Sequence, residues 1–200
     1  MNVDTPDFWQ ERYIDDNIPW DTKTTTPALI DSIDHSIRKK IAILGCGYSR
    51  DSIFLSNKKH NVYSVDFASK PIEYLSKIKN QYNIDTLNPI NADIFNLPNM
   101  YPDFFDIVLE YTCFCAIMPS RRLEYVKLVS KILNKNGQFI ALFFPINKRE
   151  GQSDGPPFYV NLKETLSMFG DRFVIKKIDK NIKSIKPRRG FETLVIMTKK

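Results

Sequence analysis

The sequence predicts a single α/β domain of Rossmann-like architecture, with a seven-stranded, mostly parallel sheet, helices on both faces and a C-terminal antiparallel pair. Three observations predict it. Short apolar runs alternate with helix-period segments along residues 40–144, the order in which crossover helices join parallel strands. A glycine turn, Gly45-Cys46-Gly47, closes the first of those runs, and an acid, Asp66, closes the second. Beyond Pro145 the alternation stops, and two β-rich runs joined by a basic loop read as an antiparallel pair.

The elements follow in order. Residues 1–36 precede the sheet; Trp9 and Tyr13 stand four apart and share one face if this stretch is helical. Residues 40–44 form a buried strand, and residues 50–57 a short helix after the glycine turn. A second strand spans 62–65. Residues 69–82 have helical spacing, with Ile72, Leu75, Ile78 and Tyr82 on one face and Ser69 as the N-cap. A third strand over 86–90 leads to Asp93-Ile94-Phe95. Residues 105–109 give a fourth strand, 121–133 an amphipathic helix, and 138–144 a fifth strand stopped by Pro145. A turn-rich stretch, 151–157, then precedes a helix over 162–169 and the two β-rich runs, 173–178 and 192–198.

Composition narrows the function classes. Two hundred residues, 42% hydrophobic and 26% charged, suit one domain with a sizeable core. The longest apolar stretch, residues 139–144, is too short to cross a bilayer, and residues 1–7 carry two acids and no basic run, so neither a membrane span nor a signal peptide is expected. Three cysteines, Cys46, Cys113 and Cys115, match no disulfide framework, which points to a reducing cytoplasm. The net charge is +6, but the lysines are dispersed. Only residues 176–189 concentrate charge, read as a solvated loop, and no nucleic-acid partner is expected.

Open α/β sheets bind ligands at strand carboxyl ends, where Gly45-Cys46-Gly47 lies. Twenty-one residues after Gly45, Asp66 can accept both hydroxyls of a ribose. The same residues also suit a plain glycine turn with an acid capping the next helix. A dinucleotide fingerprint needs glycine at position 50, to bring a helix under the pyrophosphate, and this chain has Arg50. S-adenosylmethionine carries no phosphate and tolerates that bulk. Both tryptophans, Trp9 and Trp20, lie with Tyr13 ahead of the first strand, and aromatic faces attract a sulfonium cation. Taken alone, they also suit a helix packed on the sheet.

Four motifs together resemble the thiopurine S-methyltransferase family, most closely its plant-type halide and thiol methyltransferase branch. They are Pro19-Trp20-Asp21 with Thr26-Pro27; Gly45-Cys46-Gly47; the run from Tyr111 through Ile117 with Pro119 and Arg122; and Gly155-Pro156-Pro157-Phe158. The resemblance implies the class I methyltransferase fold, S-adenosylmethionine as cofactor with S-adenosylhomocysteine as product, and a small soft methyl acceptor. It places Trp9, Tyr13 and Trp20 at three cofactor-contacting aromatics, Tyr13 standing where tryptophan is usual. Gly45, Cys46, Gly47, Asp66, Asp93, Ile94 and Tyr111 fall at further cofactor positions. Tyr111, Phe114 and Phe144 fall at the acceptor, with Phe144 where plant relatives tend to have tyrosine. The thiopurine enzymes proper carry arginine at the position of Tyr111, which sets this chain with the halide and thiol branch.

Methyl transfer from a sulfonium is an in-line displacement in which positioning supplies much of the rate. Thiolates and halides need no strong base, so no catalytic residue is assigned. His35, expected in a helix, and His60, in a loop, are read as surface residues. Cys113 and Cys115 read as buried thiols without a metal, and Glu110 as a cofactor contact or a cap. The expected protein is a monomer with a small-molecule substrate, its first 36 residues forming a lid. A nicotinamide oxidoreductase and a cofactor-binding protein without turnover are the alternatives.

Overall fold

The strand β1 (Lys40–Leu44) is KIAIL, buried over its last four residues, and such apolar continuity belongs to a strand covered on both faces. It pairs in parallel with β2 (Asn61–Asp66) on one side and β4 (Phe105–Tyr111) on the other. Outside these lie β3 (Leu87–Asn91), parallel to β2, and β5 (Leu133–Phe143), parallel to β4. The last strand, β7 (Thr193–Lys199), runs antiparallel to both β5 and the edge strand β6 (Phe173–Asp179), giving a seven-stranded order β3-β2-β1-β4-β5-β7-β6. This computed structural model describes residues 3–147 and 155–200, so residues 151–154 of the turn-rich stretch lie outside the described residues.

The helices are α1 (Pro6–Ile14), α2 (Pro27–Ile30), α3 (Arg50–Asn57), α4 (Ser69–Tyr82), α5 (Leu97–Met100), α6 (Arg122–Ile132) and α7 (Leu162–Phe169). The sheet divides the core into two layers. Along β5 the period-two alternation sends Phe139, Ala141 and Phe143 into one layer and Ile140 and Leu142 into the other. The first layer is aromatic, with Phe139 stacked on Phe169 at 5.2 Å between centroids.

Most differences from the expected elements are one-residue shifts at strand ends; three have physical causes. Ser69 is not the N-cap: Ala68 holds that position, and the Ser69 hydroxyl donates to Glu73 instead. Tyr82 is 62% exposed rather than on the apolar face, because α4 ends there as Asn83 takes a left-handed conformation with φ +51°. The fifth strand begins at Leu133 rather than 138, because a register shift opposite Phe105 and Ile107 carries the polar run Asn134-Lys135-Asn136-Gly137 within it. No described helix is long and apolar enough to cross a membrane.

Candidate active site

Because β1 lies between β2 and β4, the chain leaves β1 in one direction and later passes it in the other, opening a crevice at the carboxyl ends of β1 and β4. Gly45 and Gly47 form its floor, with φ of +56° and +53°. Close approach demands glycine there as well. A Cβ on Gly45 would stand 2.8 Å from Cys113 Sγ, and one on Gly47 2.9 Å from the Tyr13 hydroxyl. Arg50, at the fingerprint position, donates to both carboxylate oxygens of Asp21, at 2.8 and 3.0 Å, and so ties the N-terminal segment to the start of α3.

Asp66 ends β2 with one oxygen accepting from Gly47 N–H at 2.9 Å and the other from Ala68 N–H at 3.0 Å. Burial raises the Asp66 pKa to about 6, against the pull of those N–H groups. Asp93, at the end of the next βα step, accepts from Phe95 N–H at 2.9 Å, and Ile94 beside it is buried.

The aromatic residues close the crevice from above. Trp9 and Trp20 meet edge to face at 5.4 Å, Tyr13 and Trp20 at 5.7 Å, and Trp20 Nε1 donates to the Tyr13 hydroxyl at 3.3 Å. That hydroxyl stays neutral, its pKa raised by burial and by the nearby Asp66 carboxylate. Two arginines hold the Trp20 segment in place: Arg50 through Asp21, and Arg188, which donates to the Trp20 carbonyl at 2.9 Å.

Three cavities meet at Trp20. The first brings together Trp9, Tyr13, Trp20, Gly45, Asp66, Asp93 and Ile94, seven of the residues expected at a cofactor. A recess beside it holds Cys46, Gly47 and Tyr111. The second cavity shares Trp9, Trp20 and Ala116 with the first; its other walls include Phe144, Pro156, Pro157 and Ile185 together with the polar side chains of Arg12, Asp21, Thr112 and Arg188. Thr112 lines both the recess and this cavity with φ +62°, a costly conformation for a β-branched residue.

Phe114 is a correction. Its ring is 1% exposed and packs against Tyr125 and Phe143 at 5.4 Å, inside the aromatic layer, and it lines none of the three cavities. The histidines are another. His60 is fully buried and His35 lies in a turn, their rings joined Nδ1 to Nε2 at 3.0 Å. The pair lines none of the three cavities. Glu110 is a cap: it accepts from Cys113 N–H, Phe114 N–H and the Tyr125 hydroxyl at 3.1, 2.8 and 2.6 Å, shaping the loop after β4. Cys113 and Cys115 are buried free thiols, and burial pushes the Cys115 thiol up to about 12.

One residue was hidden in the charge-rich segment read as a solvated loop. Arg188 is 6% exposed, its guanidinium 4.8 Å from the ring centroids of both Tyr111 and Phe144. Pro187 before it and the apolar Ile185 were the available signals, since a fully solvated loop has little use for either.

A mostly parallel sheet with a glycine turn at its switch point, closed by an antiparallel C-terminal strand pair, is the class I methyltransferase fold. Among solved structures, the chain resembles the 1,6-didemethyltoxoflavin-N1-methyltransferase of Burkholderia thailandensis, with TM-score 0.74 and 19% identity over 98% of this chain and 86% of that one. A TehB-like S-adenosylmethionine-dependent methyltransferase from Corynebacterium glutamicum gives TM-score 0.69 and 17% identity, over 97% of this chain and all of that one, 100%. Residues 4–199 match the thiopurine S-methyltransferase (TPMT) family, and the chain belongs to it. Thiocyanate methyltransferase 1 of Brassica oleracea is 28% identical over 93% of this chain and 82% of its own length. The thiopurine S-methyltransferase of Vibrio parahaemolyticus is 25% identical over 82% of this chain and 81% of its own.

Proposed function

We propose that the first cavity and its neighbouring recess hold S-adenosylmethionine, and that the second cavity presents a small soft nucleophile, a thiolate or halide-like anion, to its methyl group. The observation that carries this reading is the shared wall: Trp9, Trp20 and Ala116 border both cavities, so an acceptor in one faces a ligand in the other. The donor set fits the cofactor. Asp66 offers a carboxylate to ribose hydroxyls, Asp93 an acceptor for the adenine amino group, and Gly45 and Gly47 a floor without Cβ atoms. Bound there, S-adenosylmethionine supplies an electrophilic methyl carbon on a cationic sulfur.

The chain's own residues position and enclose rather than abstract a proton. Among the described residues lining the second cavity Asp21 is the one carboxylate, and Arg50 donates to both of its oxygens. Cys115, the thiol on that wall, is held protonated by burial. The aromatic faces favour the cationic sulfonium and exclude water from the reacting atoms. Residues 1–36 act as a lid on both ligands, and the protein works as a monomer in the cytoplasm. Its three cysteines are free thiols, which supports the reducing compartment.

The test is incubation with S-adenosylmethionine labelled on the methyl group and a panel of iodide, thiocyanate, bisulfide and aromatic thiols, with labelled products read by mass spectrometry. Methylated soft nucleophiles are expected. Cofactor binding without product from any of them would contradict the proposal.

A further inference from the structure

The two histidines of the chain meet at the amino-terminal ends of β1 and β2, away from the crevice, and the backbone fixes where their protons sit. Lys39 N–H donates to His60 Nδ1 at 3.1 Å, so that nitrogen carries a lone pair and the neutral ring holds its proton on Nε2. His60 Nε2–H then donates to His35 Nδ1 at 3.0 Å, which leaves the His35 proton on its outer nitrogen. Two protons on four nitrogens satisfy both hydrogen bonds. A third has no place that keeps them: on His60 Nδ1 it opposes the Lys39 N–H, and on His35 Nδ1 it opposes the His60 Nε2–H. The surroundings also favour the neutral form. His60 is fully buried, and burial, with His35 and Lys39 beside it, pushes its pKa below the usual value near 6.5. Asp34 pulls the other way, but its exposed carboxylate is already held by the Ser36 N–H at 2.9 Å and the Ser36 hydroxyl at 2.6 Å. From α3 the pair meets the Phe54 ring, 6.1 Å from His35, with the Lys58 ammonium 5.6 Å from that ring. On the β2 side Arg38 donates to the Asn61 side chain at 2.6 Å.

We propose that His35 and His60 form a proton-sensitive clasp, which fastens the entry to β1 onto the entry to β2 near neutral pH and releases it on acidification. What it fastens is the stretch 31–39, through which the segment carrying Trp9, Tyr13 and Trp20 reaches the sheet. Release therefore loosens the root of the segment that closes the crevice. The sign follows from linkage. The folded clasp excludes a proton that the unfolded chain takes up near pH 6.5, so its stability is complete above that value and is lost as pH falls below it. Glu110 responds in the opposite direction, with stability lost as pH rises through about 7, so the clasp is read locally rather than from global unfolding. It depends on neither the cofactor nor the acceptor.

The experiment is nuclear magnetic resonance of the whole protein between pH 7.5 and pH 5, reading the nitrogen signals of the two imidazoles together with amide hydrogen exchange. His60 is expected as the Nε2–H tautomer at pH 7.5 and should take up a proton only below its ordinary range. As it does so, the exchange protection of the Lys39 amide should fall, by about tenfold per pH unit once the proton binds the open form alone. The Val160 amide, bonded to the Pro145 carbonyl at 3.0 Å, is the control and should keep its protection. Two variants separate the parts of the clasp. His35→Asn leaves an acceptor near the place of Nδ1 and should keep both the His60 tautomer and the Lys39 protection at pH 7.5, whereas His35→Leu strands the His60 N–H and should lower that protection. His60 protonated on Nδ1, His60 titrating at or above 6.5, or Lys39 protection that stays constant while His60 takes up its proton would each overturn the proposal. So would an equal loss at Val160, which would make the response global, or a His35→Leu protein indistinguishable from wild type. If neither variant folds, the wild-type titration and exchange still decide.

Discussion

Asp66 does two jobs with one carboxylate: it fixes the turns on either side of it and lines the first cavity. Asp66→Ala should keep the fold but lose about 1.5–3 kcal/mol of cofactor affinity, read by calorimetry with S-adenosylhomocysteine. Unchanged affinity would remove Asp66 from the site. With its pKa raised to about 6, the ionised form that accepts ribose hydroxyls is lost on acidification, so affinity should fall between pH 7 and pH 5. At this scale the sequence was readable where a side chain is demanded by backbone geometry, as at Gly45, Gly47 and Asp66. It was unreadable where exposure decides. Phe114 follows Tyr111 and Thr112 on a site-forming loop, yet its ring turns into the core, and Arg188 sits among lysines and arginines yet is buried.

The loop after β4 depends on Glu110, sealed at the end of its strand, where burial raises its pKa to about 7. A folded-state pKa above the unfolded one gives stability that is complete below the unfolded value, near 4.5, and is lost as pH rises through about 7. Glu110→Gln retains an acceptor for Cys113 and Phe114 N–H and can donate to the Tyr125 oxygen. Its stability should match wild type near pH 5 and exceed it near pH 8, by up to about 3 kcal/mol in urea unfolding. Identical pH slopes would show that Glu110 does not titrate there. The N-terminal segment is tested optically, since Trp9 and Trp20 are the only tryptophans of the chain. Saturating S-adenosylmethionine should quench or shift their fluorescence, and an unchanged spectrum and quencher accessibility would refute the lid. Helical spacing revealed α4, but its end and its cap follow from a left-handed Asn83 and a Ser69–Glu73 contact that spacing does not encode.

Across the molecule, the alternation of strand and helix was legible because each parallel strand must be apolar on both faces and each crossover helix on one. The antiparallel closure by β6 and β7 was legible as well, from two β-rich runs with no helical period between them. The meeting of three cavities at Trp20 was not, since it depends on where the N-terminal segment lands, and that is set by Arg50 and Arg188 from distant parts of the chain. Sheet order and the two arginines together set the second cavity, whose described lining carries Arg12 and Arg188, against the first. The central claim is that this cavity positions an acceptor that is already anionic. The direct measurement is the rate of methyl transfer between pH 7 and pH 9 for iodide, an acidic aromatic thiol and an alkyl thiol of pKa about 8.5. The first two should be nearly flat and the third should rise with its own ionisation; a single inflection shared by all thiols, whatever their solution pKa, would reveal a protein base and contradict the account.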